Sequence, residues 1–216
     1  MTTHTPESHY AYTINEYNNT SHTKYLNYIF KNSNIKVIYD IGANSGATCN
    51  IFYEYSMKYN NPLKKIYLFE PDETNYEYLL NSTKQINNVV ESFNLGIYYG
   101  ATTKKVFLPK MNNEAYYTVG GFSISPELSH RSYIETDKIF NLTTLEELNI
   151  DEPDFVKIDI EGCEKNLIIN SSIIKKAKFM LVEWQDKEDF NVILNKYLNN
   201  YKIIFNDHDY LLEKIN

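Results

Sequence analysis

From about residue 36 to its end the chain alternates short β-branched, apolar runs with stretches whose apolar positions recur at helical spacing. Lys36 to Ile41 (KVIYDI) predicts a strand, followed by glycines and a helix with Ala47, Ile51, Tyr55 and Tyr59 on one face. Lys65 to Phe69 (KIYLF) predicts a second strand, and Tyr76, Leu79, Leu80 and Thr83 the buried face of the helix after it. Val89 to Phe93, Phe155 to Ile160, Phe179 to Glu183, Tyr201 to Phe205 and Tyr210 to Lys214 continue the strands. Phe190, Ile193, Leu194, Tyr197 and Leu198 mark an amphipathic helix between two of them. Strands separated by helices of this length imply an α/β fold, with a mostly parallel sheet covered on both faces.

The rhythm fails in two places. Residues 1–19 are polar, aperiodic and uncapped, so they read as an N-terminal arm or lid on a domain of residues 20–216 whose leading helix carries Tyr25, Leu26, Ile29 and Phe30. Between about 95 and 142, glycines and prolines punctuate short segments, which predicts an insertion of a hairpin plus loops. Long connections in compact domains tend to carry function.

Composition narrows the classes. The 216 residues suit one domain with appendages, and 43% hydrophobic content is enough for a core. The formal charge is −7 and Arg131 is the only arginine, so a nucleic-acid partner is not expected. Two distant cysteines, no apolar leader and no long apolar run read as a reduced, cytoplasmic protein without a membrane partner.

Three constellations carry chemistry. Asp40-Ile-Gly42-Ala-Asn44-Ser-Gly46 ends the first strand, where glycines let backbone approach a ligand and a helix N-terminus offers free N–H groups. A dinucleotide fingerprint aligned on Gly42 needs glycine at 44 and 47, where Asn44 and Ala47 stand. The spacing instead matches S-adenosylmethionine-binding turns; the plain alternative is a β–α turn. Glu70, in Phe69-Glu70-Pro71-Asp72, ends the second strand, where a carboxylate can accept from ribose hydroxyls; a solvated strand-end residue is the alternative. Asp72 is placed to cap the next helix. In Lys157-Ile-Asp159-Ile-Glu161-Gly162, strand alternation puts three ionisable groups on one face of a strand that should be apolar. Either they satisfy one another, or the strand opens into a cleft.

Together with the stretches around them, VIYDIGANSG, YLFEPDETNYEYL and TLEELNIDEPDFVKIDIEGCEKNLI, this series resembles the FkbM family of S-adenosylmethionine-dependent methyltransferases over about residues 35–183. The resemblance implies the seven-stranded, Rossmann-like class I methyltransferase fold with an antiparallel last strand, and methyl transfer to an oxygen of a sugar or small metabolite. It places Asp40, Gly42, Asn44 and Gly46 at the methionine end of the cofactor, Glu70 on the ribose, Asn94 near adenine or methionine, and Asp159 close to the transferring methyl.

A hydroxyl acceptor needs a base or a metal ion. Asp159 is the first candidate, Glu161 the second, and His130 of the insertion the third. Asp159 and Glu161 could hold Mg2+, or form a metal-free network with Lys157. His4, His9, His22 and His208 read as surface residues. Trp184 is a stacking platform or a packed rim residue, and Tyr116, Tyr117, Phe122 and Ser123, flanking Gly120-Gly121, are candidates for acceptor recognition. The reading is therefore an O-methyltransferase of a sugar or small-molecule hydroxyl. The alternatives are a cofactor-binding module without catalysis and a nucleic-acid 2′-O-methyltransferase.

Overall fold

Two helices precede the first strand in the computed structural model, which describes residues 5–111, 114–115, 121–127, 132–184, 186, 188–207 and 209–215. Helix α1 (Pro6–Asn19) has a capping box: the Thr5 hydroxyl accepts the Ser8 N–H and the Ser8 hydroxyl accepts the Thr5 N–H. The segment expected to be aperiodic and uncapped is thus a capped helix. It escapes pattern reading because it buries only Thr13 and Tyr17 and so needs no apolar stripe. Helix α2 (His22–Asn32) follows, with Tyr25, Leu26, Ile29 and Phe30 buried as expected.

The alternating part then runs β1 (Val37–Ile41), α3 (Ala47–Lys58), β2 (Lys65–Phe69), α4 (Glu73–Ser82) and β3 (Val90–Phe93). Strands β4 (Gly96–Ile97), β5 (Thr103–Met111), β6 (Glu114–Ala115) and β7 (Tyr133–Thr143) fill the insertion. After them come β8 (Phe155–Ile158), α5 (Glu164–Asn170), β9 (Phe179–Val182), α6 (Phe190–Tyr197), β10 (Tyr201–Phe205) and β11 (Tyr210–Lys214). The Asp72 side chain accepts the Asn75 N–H at 3.1 Å and caps α4, as its place after Pro71 suggested. Leu79 is buried as expected, but Leu80 does not join the buried face of α4: it is exposed, and Asn75 points inward.

The main sheet has seven strands in the order β10-β11-β9-β8-β1-β2-β3. It is parallel except for β11, the last strand, which runs antiparallel to both neighbours. Both faces are buried: Ile38, Leu68, Phe155 and Leu181 pack beneath α2 and α3, while Tyr39, Phe69, Val156 and Met180 pack against α5 and α6. This is the α/β class expected from the rhythm. The insertion is more regular than a hairpin plus loops, since β5 and β7 pair antiparallel within a four-stranded sheet ordered β4-β7-β5-β6. Among the described residues no helix is long and apolar enough to cross a membrane.

The chain leaves β1 in one direction for β2 and β3 and later returns on its other side for β8 and β9. The carboxyl ends of β1 and β8 therefore flank the switch point where open α/β sheets bind ligands.

Candidate active site

Each of four parallel strands delivers the residue just after its end to a single cavity of about 480 Å3: Gly42 after β1, Glu70 after β2, Asp159 after β8 and Glu183 after β9. A fourth carboxylate, Asp209, reaches it from the other direction. Because β11 is antiparallel its start lies at this edge, and the pairing of Tyr210 with Val182 puts Asp209 beside Glu183.

The turn after β1 is shaped by close approach. Gly42 has φ +84°, and a Cβ built on it would lie 1.8 Å from the Asp159 carbonyl oxygen. Asn44 is also left-handed, at φ 48°, and donates its N–H to Glu70 Oε2 at 2.9 Å. Glu70 Oε1 accepts the Asp72 N–H at 2.9 Å. Burial pushes the Glu70 carboxyl up to about 7, against the pull of these backbone donors. Ser45, 1% exposed, lines the same cavity, and its Oγ has no hydrogen-bond partner among the described residues.

Beneath the turn a buried ammonium sits between two carboxylates and a carbonyl. Asp40 and Lys157 sit opposite each other on paired strands. Lys157 Nζ lies 3.3 Å from Asp40 Oδ1 and 3.2 Å from Asp159 Oδ2, and donates to the Gly42 carbonyl at 2.8 Å. One hydrogen bond and two ion pairs thus hold the ammonium. Burial alone would lower the Lys157 pKa, but Asp159 and Asp40 outweigh it and hold it above the ordinary range. Burial raises the Asp40 carboxyl, with Lys157 and the Thr48 hydroxyl opposing. Glu183, hydrogen-bonded to Asp159, is pushed up to about 10, first by that carboxylate, then by burial and by Glu161 and Asp209.

Two outer walls close the cavity. Helix α1 supplies His9, Tyr12, Thr13, Glu16 and Tyr17; the insertion supplies Gly121, Phe122, Ile124, Phe140 and Leu142. His22, at the start of α2, is buried rather than on the surface: Nε2 lies 2.7 Å from Asp209 Oδ2, Nδ1 lies 2.8 Å from Thr20 Oγ1, and the ring stacks on Tyr17 at 4.2 Å.

Of the candidates from sequence, Gly42, Asn44, Glu70, Asp159 and Glu161 line the cavity. Asp40 and Gly46 do not; Asp40 is fully buried below it and fixes Thr48 and Lys157. Asn94 does not line it either, and donates to the Glu70 carbonyl at 2.9 Å. Strand β8 stops at Ile158, and Glu161 adopts φ 52° in the following turn, so Glu161 does not share a strand face with Lys157 and Asp159 as alternation predicted. His4, Tyr116, Tyr117, Gly120, His130 and His208 fall outside the described residues. Phe122 lines the cavity, whereas Ser123 is buried behind it and accepts the Ser125 N–H. Trp184 is a packed rim residue, edge-on to Phe190 and donating to the Glu188 carbonyl at 2.8 Å. Among the described residues no group of three or more His, Cys, Asp or Glu side chains is arranged to hold a metal ion. The Mg2+ expectation has no counterpart there: the Lys157 ammonium engages Asp159 in its place.

Sequence reading missed Ser45, Asn75, His22, Glu183 and Asp209. Glu183 and Asp209 were accessible in principle, since both flank strand ends at the edge that an antiparallel last strand shares with its parallel neighbours.

A sequence model described as the methyltransferase FkbM domain matches residues 40–214. No curated protein matches the chain. Among solved structures, a methyltransferase FkbM from Methylobacillus flagellatus KT superposes with TM-score 0.58 at 16% identity, over 88% of this chain and 47% of that one. The chain thus spans about half the length of that structure. A ribosomal protein L11 methylase from Lactobacillus delbrueckii subsp. bulgaricus superposes with TM-score 0.50 at 7% identity, over 90% of this chain and 76% of that one. These likenesses concern the fold.

Proposed function

Because the chain belongs to the methyltransferase FkbM family, we propose that it is an S-adenosylmethionine-dependent O-methyltransferase acting on a hydroxyl of a sugar or small molecule. The observation that carries this reading is the convergence of the Gly42 turn, Glu70 and Asp159 on one cavity at the switch point of the sheet. The residues fit the cofactor. The lining offers an unpartnered hydroxyl at Ser45 and a carboxylate at Glu70 whose Oε2 accepts a single N–H at 2.9 Å among the described contacts, beside a turn that Gly42 lets pack against the Asp159 carbonyl. Glu70 would hold the ribose hydroxyls. The turn from Gly42 to Ser45 and the N-terminus of α3 would hold the methionine end.

Bound S-adenosylmethionine supplies a methyl group already activated by the sulfonium charge, which leaves alignment and proton removal to the protein. Asp159 would accept the hydroxyl proton, a role supported by its position on the cavity lining and its contacts with Lys157 and Glu183. Lys157 orients Asp159 and the Gly42 carbonyl together, tying the base to the cofactor turn. Glu161, also on the lining, is the second acceptor. Helix α1 and the Phe122–Phe140 pair shield the site from bulk water.

Asp159→Asn separates binding from chemistry. S-adenosylhomocysteine should bind within a few-fold of wild type, while methyl transfer to a panel of hydroxyl acceptors falls by about 10²–10⁴. Retained turnover would remove Asp159 from the reaction, and no methyl transfer from the wild type to any acceptor would favour a binding module.

A further inference from the structure

Helix α1 turns a single face on the cavity: His9, Tyr12, Thr13, Glu16 and Tyr17 fall at i, i+3, i+4, i+7 and i+8 and all line it. Tyr17 is the most deeply buried of them, at 5% exposure, and its ring stacks on His22 at 4.2 Å and lies edge-on to Phe52 at 6.4 Å. The fold makes no use of its hydroxyl. No described residue donates a hydrogen bond to that oxygen or accepts one from it, and the charged groups it feels most are Asp209, Asp40 and Asp159, around the strand ends. Burial first, and then those carboxylates, push the phenol well above its ordinary value, so it keeps its proton and can donate. Ser45 Oγ is a second such hydroxyl, 1% exposed on the lining and without a partner among the described residues. Polar groups this deep are normally hydrogen-bonded, so two of them on one cavity point to a ligand that supplies the acceptors.

We propose that the Tyr17 hydroxyl donates a hydrogen bond to the carboxylate at the amino-acid end of S-adenosylmethionine, from the wall that α1 builds. The inference rests on the methyltransferase reading and adds to it a cofactor contact from outside the family match at 40–214. Position and chemistry both select that end of the cofactor. Asp40 and Asp159, whose charges the hydroxyl senses, are gathered by Lys157 beneath the Gly42 turn, where the amino-acid end would lie. Ionised carboxylates such as Asp159 only accept hydrogen bonds and so suit the ammonium of that end, whereas its carboxylate needs donors. A protonated phenol is one, and the Ser45 hydroxyl on the turn is another.

Calorimetric titration of the full chain tests it, with S-adenosylmethionine and decarboxylated S-adenosylmethionine as probes that differ only in that carboxylate. Wild type is compared with Tyr17→Phe, which keeps the ring against His22 and Phe52 and removes only the oxygen. The substitution should weaken S-adenosylmethionine binding about tenfold and change binding of the decarboxylated probe by less than about twofold. Its urea midpoint should be no lower than that of wild type, because no bond within the fold is lost. Unchanged affinity for S-adenosylmethionine, an equal loss with both probes, or a lower urea midpoint would each overturn the contact while leaving the methyltransferase reading in place. A wild-type chain that binds neither probe would overturn that reading, and the contact with it.

Discussion

Lys157 shows how a buried charge can be both costly and indispensable. Its ammonium is 7% exposed and is tolerated because Asp40, Asp159 and the Gly42 carbonyl surround it. Lys157→Met should destabilise the fold by about 3–5 kcal/mol, measured by urea unfolding, because it strands Asp40. Adding Asp40→Asn should recover part of the loss; a double variant no more stable than the single one would show that Asp40 is not the stranded partner. Glu164 makes a prediction with a defined sign. Buried against the N–H groups of Gly162 and Ile160, it is pushed by burial up to about 7 from an ordinary value of 4.5. Between those pH values the folded chain keeps a proton that the unfolded chain releases, so this residue's contribution to stability is lost as pH rises from about 4.5 to 7. Melting curves at pH 5, 6 and 7 should show a shallower decline for Glu164→Gln than for wild type, and parallel curves would refute the assignment.

Helix α1 differs in kind from the elements under it. Strands β1, β8 and β9 of the central sheet are buried throughout, whereas this 14-residue helix buries only Thr13 and Tyr17 and is held at its start by the Thr5–Ser8 box. Its amides should exchange with deuterium well before those of β1 and β8. Thr5→Ala, worth about 1 kcal/mol at a cap, should speed exchange in α1 alone; equal acceleration in the sheet would mean that the helix opens only with the whole fold. The same contrast explains what could be read in advance. Strands β1, β2 and β9 announce themselves because a doubly covered strand is mostly apolar, with Asp40 the exception inside β1, and Asp72 is legible because caps use few residue types. Helix α1 has no such constraint, so its polar sequence looked like a loose arm. The end of β8 was misread because Glu161 turns left-handed, which alternation cannot foresee. His22 became a cavity residue only through Asp209, 187 positions away, a pairing that no local pattern carries.

At the scale of the molecule, one sheet edge gathers residues from every part of the chain: the turn after β1, the ends of β2, β8 and β9, the start of β11, the insertion, and the two leading helices. Cys163 lies on this cavity and Cys49 inside α3; both are buried, and burial raises both thiols. A thiol reagent should therefore label neither until the chain unfolds, with modification tracking the loss of structure in a urea series. Rapid labelling of the native chain would contradict that packing. The origins of the cavity walls have a further consequence. The cofactor turn, Glu70 and Asp159 lie within residues 40–214, whereas His9, Glu16, Tyr17 and His22 come from chain ahead of that span. On the proposed reading, the residues that would hold the cofactor and take the proton sit within the family domain, and the leading helices add a wall from outside it. Exchanging the leading helices between relatives would then reshape one wall of the cavity while leaving the part built by the family domain in place.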